Sequence, residues 1–124
     1  MHDFVRGIFL NPAAGIARET LVEERCDDFY TLLDCNVIDI VTRSVGGKAF
    51  SIVCDDEGLL KPDPCISATS RDTVHGSCLV GRLFICARSA AHLRSLEDED
   101  VDLIMSRLRV LSYNGKENLG LEMD

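Results

Sequence analysis

The chain has 124 residues, 46% of them hydrophobic and 27% charged, with a net charge of -8 and a pI near 4.8. That length suits one domain whose core needs no metal or disulfide staple, and the composition is that of a folded protein rather than a disordered one. The acidic balance argues against a nucleic-acid binder that tracks phosphates with a basic face.

Phe4 to Leu10 reads as a first strand, apolar on both faces except at Arg6. The run is too short for a secretory signal, and Asn11-Pro12 ends it in a turn. Thr20-Leu21-Val22-Glu23 has the form of a capping box. Val22, Cys26, Phe29 and Leu33 then recur at helical spacing, opposite Glu23, Glu24, Asp27 and Asp28, so the pattern predicts an amphipathic helix ending near Asp34.

Val37 to Arg43 alternates as a strand, with Ile38 and Ile40 on one side and Asp39 and Arg43 on the other. Gly46-Gly47 predicts a tight turn, because glycine takes positive φ at no steric cost. Ala49 to Cys54 returns as the partner strand, placing Phe50, Ile52 and Cys54 on one face. Asp55-Asp56-Glu57-Gly58 closes it, and Leu60 to Gly76 reads as a loop with a short extended piece near Cys65 to Ala68.

Ser77 to Ala87 reads as the last strand, with Leu79, Leu83 and Ile85 on one face and Cys78, Val80, Phe84 and Cys86 on the other. Its apolar run is broken by Arg82 and is far too short to span a membrane. Ser95 is expected to cap a second helix with the stripe Val101, Ile104, Met105, Leu108 and Leu111, stopped at Asn114-Gly115. Residues 116–124 read as a polar tail. The expected architecture is α+β: a mainly antiparallel sheet of four or five strands with two helices packed on it, as a single domain over residues 1–115.

Six cysteines stand at 26, 35, 54, 65, 78 and 86. With no export signal, reduced thiols are expected, most of them behaving as small buried hydrophobes. The alternative is a metal site. His75 and Cys78 stand three apart, Cys54 and Cys65 lie upstream, and zinc accepts such a set. No Cys-x-x-Cys pair supports it, so the candidate ligands Cys65, His75 and Cys78 depend on the fold to gather them. A Cys65–His75 dyad oriented by Asp72 would likewise need contact that only the fold can supply.

The carboxylates Asp55, Asp56 and Glu57 could bind or catalyse if they faced one point, against the plainer reading of an acidic turn. Gly46-Gly47-Lys48 lacks the full spacing of a phosphate loop. Gly46, Gly47, Asp55, Asp56 and Glu57 are therefore binding candidates without a catalytic set, and no cofactor is implied. The acidic runs on the two helices raise a further reading, a nucleic-acid mimic, although helix solvation and capping account for most of those charges.

The strand Ile38-Asp39-Ile40-Val41, Gly46-Gly47, Asp55-Asp56-Glu57-Gly58, Leu79-Val80-Gly81-Arg82-Leu83-Phe84-Ile85 and Ser95-Leu96 together resemble an uncharacterised domain family of small proteins. Its members are carried mainly by bacterial phages, plasmids and integrative elements. The resemblance spans roughly residues 5 to 105. It implies an accessory role in a mobile element and carries over no catalytic residue. The leading expectation is a cytoplasmic, non-enzymatic interaction protein with a protein partner. It would pair as a homodimer through an exposed sheet edge, and would contact neither nucleic acid nor membrane. The alternative is a small-molecule or metal-binding domain, perhaps a small enzyme, using the 65–78 loop.

Overall fold

The computed structural model describes residues 4–61, 64–70, 78–89, 92–113 and 115–124. Strands β1 (Phe4–Asn11) and β2 (Ile16–Glu23) form a hairpin, followed by helix α1 (Cys26–Leu33). Strands β3 (Ile38–Val45) and β4 (Lys48–Asp55) form a second hairpin. Its two-residue loop places Gly46 at φ 59° and Gly47 at φ 84°, the pair of left-handed conformations such a loop demands. Then come β5 (Ile66–Ser70), β6 (Cys78–Val80), β7 (Leu83–Ala87), helix α2 (Asp98–Ser106), β8 (Leu108–Tyr113) and β9 (Lys116–Met123).

Two sheets result. The first is antiparallel throughout, in the order β2-β1-β7-β4-β3. The second runs β6-β5-β9-β8 and is mixed, because β5 and β9 are parallel. The class is thus broadly α+β, with a five-stranded sheet and two helices as expected, but the helices are short and a second sheet is present.

Alternation along the inner strands sorts their side chains to two cores. Val5, Phe9, Val53, Phe84 and Cys86 pack with Phe29 and Leu33 of α1. Ile8, Leu10, Phe50, Ile52, Leu83 and Ile85 face the other way and share a core with Ala68, Leu79, Leu121 and Met123 of the second sheet and Ile104 of α2. The order of layers is therefore helix, sheet, sheet. Phe50, Ile52 and Cys54 do share a face, as their spacing predicts.

Four expectations are corrected. Thr20 to Glu23 is no capping box; it is the end of β2, paired with Phe4 to Gly7, and α1 begins only at Cys26. A cap is worth about 1 kcal/mol, whereas an eight-residue ladder bonds every second residue of β2 to β1 and buries Val22 opposite Val5. The strand expected over Ser77 to Ala87 divides at Gly81, φ 76°, so that β6 lies in the second sheet and β7 in the first. The second helix stops at Ser106 instead of running through Leu111; Leu108 onward is β8. Its entry is held by a capping box of Glu97 with Asp100, while Ser95 accepts a hydrogen bond from the Arg6 amide at 2.9 Å.

The fourth correction concerns residues 116–124. They form β9 rather than a tail, with Leu121 and Met123 buried beneath the first sheet. Leu119, Leu121 and Met123 alternate with Asn118, Gly120 and Glu122, a strand pattern masked by the polar residues between them.

Two of the four edge strands, β3 and β8, carry side-chain plugs. In a two-residue hairpin, residues 39, 41, 43 and 45 of β3 bond to β4, which leaves 40 and 42 facing outward. The Ile40 amide donates to Asp39 Oδ1 at 2.9 Å, and Arg43 Nη1 donates to the Thr42 carbonyl at 2.9 Å. On β8 Arg109 donates to the Leu108 carbonyl, which faces outward because residues 109, 111 and 113 bond to β9. Occupied edge groups are poor templates for strand addition, so pairing is discouraged at β3 and β8. Replacing both Asp39 and Arg43 by alanine should therefore increase self-association. Light scattering on eluted fractions checks this; an unchanged mass distribution would show that the plugs are idle.

Candidate functional site

Several chain segments meet at one end of the first sheet and enclose a cleft of about 600 Å³. The β1–β2 turn supplies Asn11 to Ala14, and the end of α1 supplies Leu33 and Asp34. Asp55 ends β4, Lys61 follows it, Cys65 stands just before β5, and Arg82 comes from the crossing between the sheets.

The charges here are arranged around the carbonyl end of α1. That helix has no basic residue in its last turn, and its final carbonyls need donors from elsewhere. Lys61 Nζ donates to the Asp34 carbonyl at 2.8 Å, and Arg82 Nη1 to the Leu32 carbonyl at 3.3 Å. Lys61 is also paired with Asp55 Oδ2 at 2.8 Å, and the Asp55 side chain is only 5% exposed. The other Asp55 oxygen accepts from the Glu57 amide at 2.9 Å. The hydrogen bond to Asp55 raises the Lys61 pKa further, so its amine stays protonated at neutral pH. Cys35 is buried close to this pair, and its thiol is pushed up by burial, with Asp55 adding to the effect.

Of the residues singled out from the sequence, Asp55 and Cys65 reach the cleft. Asp56 and Glu57 sit in the following turn, exposed, so the three carboxylates do not converge. Gly46 and Gly47 lie at the far end of β4, roughly 24 Å away along an eight-residue strand. Cys78 is exposed opposite Thr69, whereas Cys65 lies just beyond the Ile66–Val80 pair, with its carbonyl accepting from the Gly81 amide at 2.8 Å. Four residues of strand, roughly 13 Å of backbone, separate Cys65 from the Thr69–Cys78 pair. Zinc–sulfur bonds of about 2.3 Å bring ligand sulfurs much closer than that. His75 and Asp72 lie outside the described residues. Among the described residues no three His, Cys, Asp or Glu side chains gather to hold a metal. Cys54 and Cys86 are core thiols, pushed up by burial to about 11 and about 12.

Sequence reasoning missed Lys61 and Arg82 as cleft residues. The interruption of an apolar run by Arg82 was the available signal.

The Gly46-Gly47 turn does hold an anion, one from its own chain. The Asp124 carboxylate accepts from the amides of Gly46 (3.1 Å) and Gly47 (2.8 Å) and from the Ser44 hydroxyl (2.7 Å). Beside it, Lys48 pairs with the buried Asp100 of α2, and a Cβ on Gly46 would lie 2.5 Å from Leu103 Cδ1. The tip of this hairpin thus ties β9 and α2 to the first sheet.

A family model described as a domain of unknown function, DUF3846, matches residues 5–109. No curated protein and no solved structure matches the chain.

The Ser44 hydroxyl, then the Gly47 amide, hold the Asp124 carboxyl below its ordinary value of 3.8. A depressed carboxyl contributes stability above its unfolded pKa and loses it as pH falls through the folded one. Asp124→Asn should therefore cost about 1 kcal/mol near neutral pH, the scale of such partly exposed hydrogen bonds. The gap to wild type should close as the medium is taken well below pH 3.8. Urea unfolding across that range measures it; a gap independent of pH would contradict the assignment.

Proposed function

The chain belongs to the DUF3846 family, and from that premise we propose that it is a non-enzymatic binding protein of a bacterial mobile element, with the cleft at the end of α1 as its ligand seat. The observation that carries this reading is the cleft itself. Its volume of about 600 Å³ suits a small organic molecule, and polar groups from separate segments converge on it. The non-enzymatic part is supported by what those groups already do. Lys61 and Asp55 engage each other, the second Asp55 oxygen serves the Glu57 amide, and a protonated lysine is no general base. The mobile-element setting is supported by the resemblance carried by the hairpin and Val80-Gly81 motifs.

Several carboxylates that a nucleic-acid mimic would need are engaged internally. Asp98 pairs with Arg6 at 2.8 Å and Asp100 with Lys48.

Ala14 is exposed in the β1–β2 turn and lines the cleft. Ala14→Trp would fill the space with little cost to the core. Saturation-transfer NMR against a library of small fragments should detect binders of the wild-type protein that Ala14→Trp no longer holds. No binders at all, or binders indifferent to the substitution, would overturn the reading.

A further inference from the structure

Of the edge strands without a plug, β6 is only three residues long, which blunts it, while β2 runs for eight. The bonding of β1 fixes which groups of β2 are open. The Arg6 amide donates to Ser95 Oγ, and the Arg6 carbonyl accepts from the Leu96 amide, both at 2.9 Å. Those partners follow Arg94, which bridges to Ala87 of β7, so Arg6 bonds on the side away from β2. Residues 5, 7, 9 and 11 therefore bond to Val22, Thr20, Arg18 and Ile16 of β2. The main-chain groups of Ala17, Glu19, Leu21 and Glu23 face outward. Among the described residues, only the Glu23 carbonyl in that row is engaged, by the Arg25 amide at 2.7 Å.

Beside this open row lie Phe4 and Leu21, 59% and 66% exposed. They share the face of Ile8 and Leu10, which turns away from α1. Phe4 stands opposite Glu23 and Leu21 opposite Arg6, so the two are diagonal neighbours.

We propose that β2 pairs with β2 of a second copy, antiparallel about a two-fold axis, joining the two five-stranded sheets into one. The side chains select the register. Open groups meet only where odd-numbered residues oppose odd-numbered ones. With Arg18 or Glu19 on the axis, a charge meets itself; with Leu21 there, Glu19 meets Glu23. Like charges directly opposite are destabilising. Centres nearer either end leave less of the strand paired. With Thr20 on the axis, Glu19 meets Leu21, Arg18 meets Val22 and Ala17 meets Glu23, and no like charges oppose. That register also carries the apolar diagonal across the axis, from Phe4 and Leu21 to Leu21 and Phe4 of the second copy, on four successive strands. The open main-chain groups would accept any strand; the continued diagonal selects a second copy. The pairing uses no residue of the cleft and stands independently of the ligand seat.

Sedimentation equilibrium of the wild-type chain should show a monomer–dimer equilibrium. Leu21→Asp, which sets a carboxylate opposite Glu19 of the second copy, should weaken it about tenfold or more. Val110→Asp, at a site 69% exposed on edge strand β8, should leave it within about twofold. Thermal melts show whether each variant is folded. Cross-linking with an added oxidant reads the register. Thr20→Cys sets two thiols across the axis and should give disulfide-linked dimers well above the background of the exposed Cys78. Arg18→Cys, whose two copies lie out of reach of each other, should not. A monomer at all concentrations, equal losses from Leu21→Asp and Val110→Asp, or equal cross-linking of Arg18→Cys and Thr20→Cys would each overturn the proposal. The first of these would leave the edge to a strand of another protein.

Discussion

Strand β7 has no face that water can reach. It hydrogen-bonds to β1 on one side and β4 on the other, and Leu83, Phe84, Ile85 and Cys86 are fully buried. Phe84 meets Phe29 of α1 with ring centroids 5.4 Å apart, while Leu83 and Ile85 point into the core shared with the second sheet. A strand of this kind requires cover above and below, so α1 and the second sheet are both obligatory. Gly7 answers the same demand from β1. A Cβ there would lie 2.5 Å from the Ile85 carbonyl and from the Phe84 ring, so the ring occupies space that only glycine leaves open.

The position of the cleft follows from this constraint. The chain must pass from the second sheet into the centre of the first, and it does so at Gly81 and Arg82, beside the end of α1. A short helix packed on β7 ends there with carbonyls and no cation of its own, which draws Lys61 and Arg82 inward. The cleft is consequently balanced in charge, and its groups are fixed by one another.

Local signals were legible in the sequence and long-range ones were not. Gly46-Gly47 announces its hairpin because the turn itself dictates positive φ at two adjacent residues. The two-sided apolar run of 83–86 announces a covered strand. By contrast, β2 hides because Thr20, Val22 and Glu23 fit a helix start as well as a strand, and only pairing with β1 decides. In β9 the parallel partner β5 lies about fifty residues earlier in the chain, so the polar residues dominate the reading. The cleft shows the same division. Asp55 and Cys65 stood out as residue types, whereas Lys61 and Arg82 matter through helix carbonyls 27 and 50 residues away.

The central claim is that the two sheets share one core, closed by β9. Amide hydrogen exchange of Leu119 to Met123 tests it most directly. Groups that open only with the whole core exchange at a common slow rate. The account predicts that the Leu121 and Met123 amides, wherever they are hydrogen-bonded, exchange within about tenfold of the Phe84 and Ile85 amides in β7. Exchange of β9 at the rate of an exposed turn, with β7 still protected, would contradict it and leave the first sheet covered on that face by something other than β9.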